Sequence, residues 1–386
     1  METTVLKKRI FLSSPHMSGS EMKYIEEAFQ TNWITSMGSN IDAFEKEIAT
    51  LVGSTEAVAV SSGTAAIHLA LSLLNVTRGD KVFCSSLTFV ASANPILYQG
   101  AEPVFIDSEP ETWNMSPLAL ERALSDAVQS GELPKAVIIV NLYGQPAKMN
   151  ELLAICNHYQ VPIIEDAAES LGATYQGKAS GTLGDIGVFS FNGNKIITSS
   201  GGGMIVSDNK ELLKKARFLA SQAKDDAPHY QHSVVGFNYR MSNILAGIGR
   251  GQLEHLTHRV ETRRFIFKRY FEELNHLPGL SFMPELANTR SNRWLTSFTL
   301  NENEAKTSVH HLISCLAEEN IEARPVWKPL HSQPLFQNSR YYPHKLEESV
   351  SEQLFKNGIC LPSGSNMTEE EQTRVIDVIQ NTLQQY

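Results

Sequence analysis

The sequence predicts an α/β protein, with a mostly parallel sheet between helices in a large domain and a smaller C-terminal α+β domain. Three observations predict it. Short apolar runs alternate regularly with helical patterns from Ala57 to Val206, as βαβ units do. Polar and aromatic residues collect where those runs end, the edge at which parallel sheets bind ligands. After Pro278 the alternation stops. The domains divide as 1–255, an N-terminal arm with the large domain, and 256–386, a long connecting helix with the small domain.

Composition sets the limits. The chain has 386 residues, 42% hydrophobic and 19% charged, long enough for a large core and two domains. A net charge of −9 argues against nucleic acid as the main partner, yet allows a local basic site for a phosphorylated ligand. No apolar run approaches membrane-spanning length, so no membrane partner is expected. Met1 to Ile10 has charges without an apolar signal core, which reads as a cytoplasmic start. Cys84, Cys156, Cys315 and Cys360 are scattered, with neither zinc-site nor disulfide spacing, and read as reduced, buried thiols.

In the arm, Ser18 and Glu21 form a capping-box pattern for a helix to about Phe29. Trp33 follows in a polar turn, as a packing residue or a ligand contact. Ile41 to Val52 is amphipathic, with Ile41, Phe44, Ile48, Leu51 and Val52 on one face. Strand Ala57–Val60 leads through Ser61-Ser62-Gly63-Thr64 into helix Ala65–Leu74. Strand, glycine turn and helix N-terminus can hold a phosphate through backbone amides and the helix dipole, although a plain N-cap looks the same. Strand Lys81–Ser85 precedes Phe89, at a junction with a helix over Val90–Leu97. Phe89 is a ligand contact or core packing.

Strand Pro103–Asp107, helix Leu118–Val128, strand Ala136–Val140, helix Lys148–Tyr159 and strand Val161–Ile164 continue the alternation up to Glu165-Asp166-Ala167-Ala168-Glu169. Gly187 to Met204 then reads G-V-F-S-F-N-G-N-K-I-I-T-S-S-G-G-G-M. Its apolar run ends among Ser190, Asn192 and Asn194, Lys195 follows, and Gly201-Gly202-Gly203 turns the chain into a second run, Met204–Val206. Lys195 is either a solvated charge or an amine for Schiff-base chemistry in a desolvated site. Helix Glu211–Ala223 leads to Gly236-Phe237-Asn238-Tyr239-Arg240-Met241, and a long helix spans about Asn243 to Leu274. Beyond it, Leu280–Met283, Trp294–Leu300 and Ile321–Arg324 read as strands, Val309–Glu319 and Glu369–Gln385 as helices, and Trp327 to His331 as a loop.

An aldehyde cofactor with a pyridine ring and a phosphate needs a lysine, a carboxylate at the ring nitrogen, a flat cover and a backbone nest. The chain offers Lys195, Asp166, Phe89 and the Gly63-Thr64-Ala65 turn. It has no dinucleotide fingerprint after the first strand and no P-loop.

With these motifs the chain resembles the fold-type I pyridoxal-phosphate enzymes of the DegT/StrS sugar-nucleotide aminotransferase family, within it the enzymes encoded with exopolysaccharide genes. The resemblance runs through Ser62-Gly63-Thr64-Ala65-Ala66, Thr88-Phe89, Glu165-Asp166-Ala167-Ala168, Phe189-Ser190-Phe191 to Lys195, Gly201-Gly202-Gly203 and Gly236 to Met241. It implies pyridoxal 5'-phosphate on Lys195, Asp166 at the pyridinium nitrogen, Phe89 on the ring, and Thr64, Ala65 and Ser190 at the phosphate. Asn192 would share that pocket. Asn238 would reach the neighbouring subunit's phosphate, making a homodimer with shared sites. Glu169 stands where many relatives carry Gln or His, and an ionised Glu beside Asp166 repels it unless protonated or paired.

The implied reaction moves an amino group from an amino acid, glutamate by resemblance, to a nucleotide-linked keto sugar. The expected substrate is the UDP-linked 4-keto-6-deoxy-N-acetylglucosamine, aminated at C4. Arg240 is the candidate for the diphosphate. Trp33, Trp327 and His331 are candidates for the uracil and sugar. Two alternatives share the fold. A sugar dehydratase of this family has histidine at the lysine position, where this chain has Lys195. A regulatory protein without turnover would not need Lys195 and Asp166.

Overall fold

Why the chain turns where it does is visible at its helix ends. The computed structural model describes residues 7–384; Met1 to Leu6 of the expected cytoplasmic start, and Gln385 at the expected end of the last helix, lie outside them. Ser62 caps helix Gly63–Leu73, its hydroxyl accepting from the Ala65 amide. Ser116 does the same for helix Pro117–Ser130, which ends on Gly131 in the left-handed region. In the arm, the Glu21 carboxylate accepts from the Ser18 and Gly19 amides, so the helix begins at Glu21 itself and runs to Gln30.

Eight strands form the large sheet, in the order Glu56–Val60, Gly203–Ser207, Ile186–Ser190, Ile163–Asp166, Ala136–Val140, Lys81–Ser85, Glu102–Ile106 and Tyr341–Tyr342. All neighbours are parallel except the pairs made by Gly203–Ser207, which runs against both of its partners. The reason is local. No helix separates it from Ile186–Ser190, so the chain returns beside the strand it left. Helices cover both faces, one core built around Val58, Ile67, Ile138 and Ile205 and another around Phe83, Leu120, Ile139 and Leu152. Helix Ser39–Val52 buries Ile41, Phe44, Ile48 and Val52, while Leu51, expected on that face, is exposed at the stripe's margin.

Other departures from expectation have physical causes. Pro95 interrupts the expected Val90–Leu97 helix, leaving a 3₁₀ turn, Val90–Ser92, and a short helix, Asn94–Tyr98. The long helix breaks into Asn243–Leu253 and Leu256–Leu274, with His255 outside helical geometry. Strand pairing near Ile321 is confined to Arg324–Pro325, and Ile321 instead bridges to Ile10.

The small sheet is antiparallel, ordered Leu280–Phe282, Thr296–Leu300, Gly358–Leu361, Arg324–Pro325. Its core takes in Ile266 and Tyr270 of the connecting helix and Ile10 of the arm. Tyr341–Tyr342 meanwhile extends the large sheet. Chain order and packing therefore do not divide at one residue, and the arm and residues 341–342 lock the two parts together.

Candidate active site

Strand ends set the stage. Val140, Asp166 and Ser190 close three adjacent large-sheet strands, and Thr88 and Phe89 follow a fourth. A cavity of about 400 Å³ opens there, lined also by Gly63, Thr64, Glu169, Asn192, Lys195, Trp294 and Trp327. The structure thus brings together residues from seven segments of the chain.

Lys195 sits in the turn after strand Ile186–Ser190, its amide donating to the Asn192 carbonyl at 3.0 Å. Its side chain is 12% exposed. Nζ lies 3.4 Å from Glu169 Oε1 and 4.3 Å from the centroid of the Trp294 ring. Asp166, the last residue of its strand, is 5% exposed. Oδ2 accepts from Ser92 Oγ at 2.7 Å and Oδ1 from the Ala168 amide at 3.1 Å. Burial pushes its carboxyl above the ordinary value, and the two hydrogen bonds and Lys195 pull the other way.

Glu169 is buried beside it. Burial pushes this carboxyl up to about 7, and the Asp166 charge adds to the rise. Lys195 and the Tyr143 amide, which donates to Oε2 at 2.8 Å, oppose it. Tyr143 occupies the left-handed region at φ 51°, a strained position for a tyrosine. Its hydroxyl is fixed by the Trp327 amide at 3.1 Å. The repulsion expected between Asp166 and Glu169 is met by both routes, a proton held near neutrality and an amine partner.

The helix start at Gly63 forms a cradle. The Gly63 and Thr64 amides donate to no group among the described residues. A side chain at Gly63 would press Ser190 at 3.0 Å, and one at Gly203 would strike the Ser62 carbonyl carbon at 2.5 Å, so glycine is what lets these segments close. Orphan amides at a helix N-terminus attract an anion. Ser190 borders the cradle, while the Ala65 amide is already taken by Ser62 and Ala65 is not in the cavity wall. Asn192 donates to Asn194 Oδ1 at 3.0 Å from the cavity's lip. Phe89, 57% exposed, turns its ring to the cavity 5.7 Å from Trp327.

Four expected contacts lie elsewhere. Arg240 lies outside the wall of this chain's cavity, its guanidinium paired with buried Glu45 at 3.0 Å. Glu45 also binds Arg217 and the Ala59 amide, so Arg240 serves the packing of helix Ser39–Val52 on the sheet. His331 lies outside that wall too. Its ring stacks on Tyr341 at 3.6 Å and is pinned by Ser86 and Glu352, which makes it part of the joint at the sheet edge. Trp33 is 47% exposed on the arm, away from the cavity, its carbonyl accepting from Asn243. Asn238 is exposed on the surface, bridged to Ser221, and does not reach the cavity of its own chain.

Three residues of the site are not legible in the sequence: Ser92 and Trp294 in the cavity wall, and Tyr143 behind Glu169. Ser92 and Tyr143 act through hydrogen bonds that need the fold. The sequence marks Trp294 only as the start of a strand, and a tryptophan beside Asn292 and Arg293 at a strand entry is its one signal. Among the described residues no cluster of side chains suits a metal ion, and no helix is long and apolar enough to cross a membrane.

Chemically the arrangement offers an amine for a carbonyl compound, a buried carboxylate to face a protonated ring, and an anion cradle in the same cavity. The sequence pattern of the DegT/DnrJ/EryC1/StrS aminotransferase family matches residues 15–380. EpsN of Bacillus subtilis (strain 168), assigned as a pyridoxal phosphate-dependent aminotransferase, is 63% identical over 374 residues, 97% of this chain and 96% of that protein. The GDP-perosamine synthase of Caulobacter vibrioides is 38% identical over 376 residues, 97% of this chain and 98% of that one. Among solved structures, a DegT DnrJ EryC1 StrS aminotransferase from Brucella abortus matches with a TM-score of 0.87 at 29% identity, covering 95% of this chain and 96% of that one.

Proposed function

The chain belongs to the DegT/DnrJ/EryC1/StrS aminotransferase family and is a pyridoxal phosphate-dependent aminotransferase, and we propose that its acceptor is a nucleotide-linked keto sugar and its donor glutamate. The residues present fit the cofactor. The unpartnered Gly63 and Thr64 amides and the Ser190 hydroxyl suit its phosphate, and Phe89 its ring face. Pyridoxal phosphate supplies the carbonyl that takes up the amino group and the electron sink that makes C–H cleavage possible.

The protein's own groups do the rest. Asp166 would pair with the ring nitrogen and keep it protonated; its hydrogen bonds from Ser92 and Ala168 hold the carboxylate in place. Lys195 Nζ would hold the cofactor and, when free, would move the proton to and from the donor's α-carbon. Glu169, 3.4 Å from that amine, holds it near the reacting atoms and stores a proton close to neutral pH. Asn238, exposed on its own subunit, serves the phosphate of a second copy in a homodimer with shared sites. Trp327, in the cavity wall, supplies flat cover for the sugar nucleotide.

The single observation that carries this function is the placing of Lys195 against Glu169 in the cavity that Asp166 also lines. The finer substrate is the UDP-linked 4-keto-6-deoxy-N-acetylglucosamine, aminated at C4 for exopolysaccharide synthesis in the cytoplasm. Glu169 and the family resemblance support it, and the 38% relative is named for a nucleotide-linked sugar. Mass spectrometry of products from a panel of nucleotide keto sugars with glutamate tests it. Amination of the UDP-linked 4-keto sugar is expected, and preferred turnover of dTDP-linked 3-keto sugars would overturn the assignment. Borohydride reduction of the holoenzyme should fix the cofactor on Lys195.

A further inference from the structure

A lysine that alternates between bound and free needs somewhere to rest when free, or its flexible stem carries the amine away from the reacting carbon. Lys195 Nζ has such a place in the structure. It lies between Glu169 Oε1 at 3.4 Å and the face of Trp294, 4.3 Å from the ring centroid. An ammonium over an indole face is attracted by the ring's quadrupole, the more so when water is excluded.

The Trp294 ring is itself held with care. Its Nε1 donates to the Asn194 carbonyl at 2.8 Å, one residue before the lysine. Ser13 Oγ, from the N-terminal arm, donates to the same carbonyl at 2.7 Å. Behind both stands Arg263, only 1% exposed. One Arg263 nitrogen donates to the Trp294 carbonyl and the other to Ser13 Oγ at 2.9 Å. No carboxylate of the described residues lies within ion-pair distance of it, and its Nε has no partner. A buried guanidinium without a counter-charge is costly to keep. Burial and the nearby Arg259 push its pKa down to about 9. What the guanidinium does with its hydrogen bonds is tie the arm, the tryptophan and the lysine turn into one unit.

We propose that Trp294 is the seat of the released Lys195 amine, and that Ser13 and Arg263 are the positioning residues that hold this seat. The inference rests on Lys195 being the reacting amine, which borohydride labelling tests separately. When the amine leaves the cofactor, the Trp294 face and Glu169 keep it within reach of the donor's α-carbon. The arm closes the unit through Ser13.

Holoenzyme carrying Trp294→Leu, Trp294→Phe or Ser13→Ala tests it. The glutamate half-reaction is followed by the change in cofactor absorbance in single turnovers, and capture of pyridoxal phosphate by the apoprotein gives a second readout. Loss of the ring in Trp294→Leu should slow both rates about tenfold while the KM for glutamate stays within about twofold. Trp294→Phe keeps a ring face and should restore most of that loss. Ser13→Ala should slow the half-reaction about threefold alone and add little to Trp294→Leu, because both act on one unit. Equal losses in the Leu and Phe variants, or full additivity with Ser13→Ala, would overturn the seat. Wild-type rates in Trp294→Leu with label still on Lys195 would overturn this inference alone, and label on another lysine would overturn both.

Discussion

Replacing Glu169 by glutamine probes the electrostatics of the site without a cofactor present. Burial raises the Glu169 carboxyl from 4.5 to about 7. At low pH, below 4.5, folded and unfolded chains both hold the proton and the full stability is present. Between about 4.5 and 7 the unfolded chain has released its proton while the folded chain keeps it, so stability falls as pH rises. The rise corresponds to roughly 3 kcal/mol lost by the time pH passes the folded value. Glutamine does not titrate, and it can still accept from the Tyr143 amide as Oε2 does now. In urea unfolding of the apoprotein from pH 4 to pH 8, the stability of wild type relative to Glu169→Gln should therefore fall by about 3 kcal/mol. The same substitution should remove a limb near pH 7 from the pH profile of turnover. A stability difference that stays flat from pH 4 to pH 8 would refute the account, because it would mean Glu169 enters the fold already ionised.

Asp166→Asn should remain folded, since the amide oxygen can accept from the Ala168 amide while the Ser92 hydroxyl turns to accept from Nδ2, yet turnover should drop by about a hundredfold or more; a rate near wild type would remove Asp166 from the ring nitrogen. Lys195→Ala and Asn238→Ala homodimers, each inactive, should regain activity when mixed and refolded, because a mixed dimer has one site free of both lesions; assayed turnover that stays absent despite proven subunit exchange counts against a shared site. Arg240→Ala should lower unfolding stability by about 2 kcal/mol and depress both half-reactions alike, because its partner is Glu45 at 3.0 Å; a rise confined to the KM for the nucleotide sugar would return Arg240 to substrate binding.

Period explains how much of the fold could be read from the sequence. Apolar runs of strand length and amphipathic helices located the large sheet's strands to within a residue or two, since both patterns repeat along the chain. Direction is a property of connection, and the sense of Gly203–Ser207 follows only from the missing helix before it. Tyr341–Tyr342 was not legible, being two residues that pair because a distant sheet edge is open to them. At the site, Lys195, Asp166, Phe89 and the Gly63 turn were legible because they end or follow periodic elements. The places of Arg240 and His331 were not legible because charge and hydrogen-bonding capacity are equally useful inside a fold, and only the position of Glu45 or Tyr341 shows the packing they serve.

Glu165 and Asp166 show where the limit lies. They are adjacent, identical in charge and both buried. A strand sends successive side chains to opposite faces, so the two carboxylates part company at once. Glu165 turns to the loop at Gly181–Gly184 and accepts from Asn141 and from the Gly181 and Leu183 amides at 2.7 to 2.9 Å. Its work is to pin that loop under the strand. Asp166 turns the other way, keeps two donors and lines the cavity. One carboxylate is consumed by backbone amides and the other is left facing a ligand, and the one-residue register of the strand decides which. A shift of a single residue in strand Ile163–Asp166 would exchange the roles, burying the reacting carboxylate among loop amides and turning the structural one into the cavity. The hydrophobic pattern Ile163-Ile164 on that strand, packed into the cores on opposite faces of the sheet, is therefore as much a determinant of the chemistry as Asp166 itself.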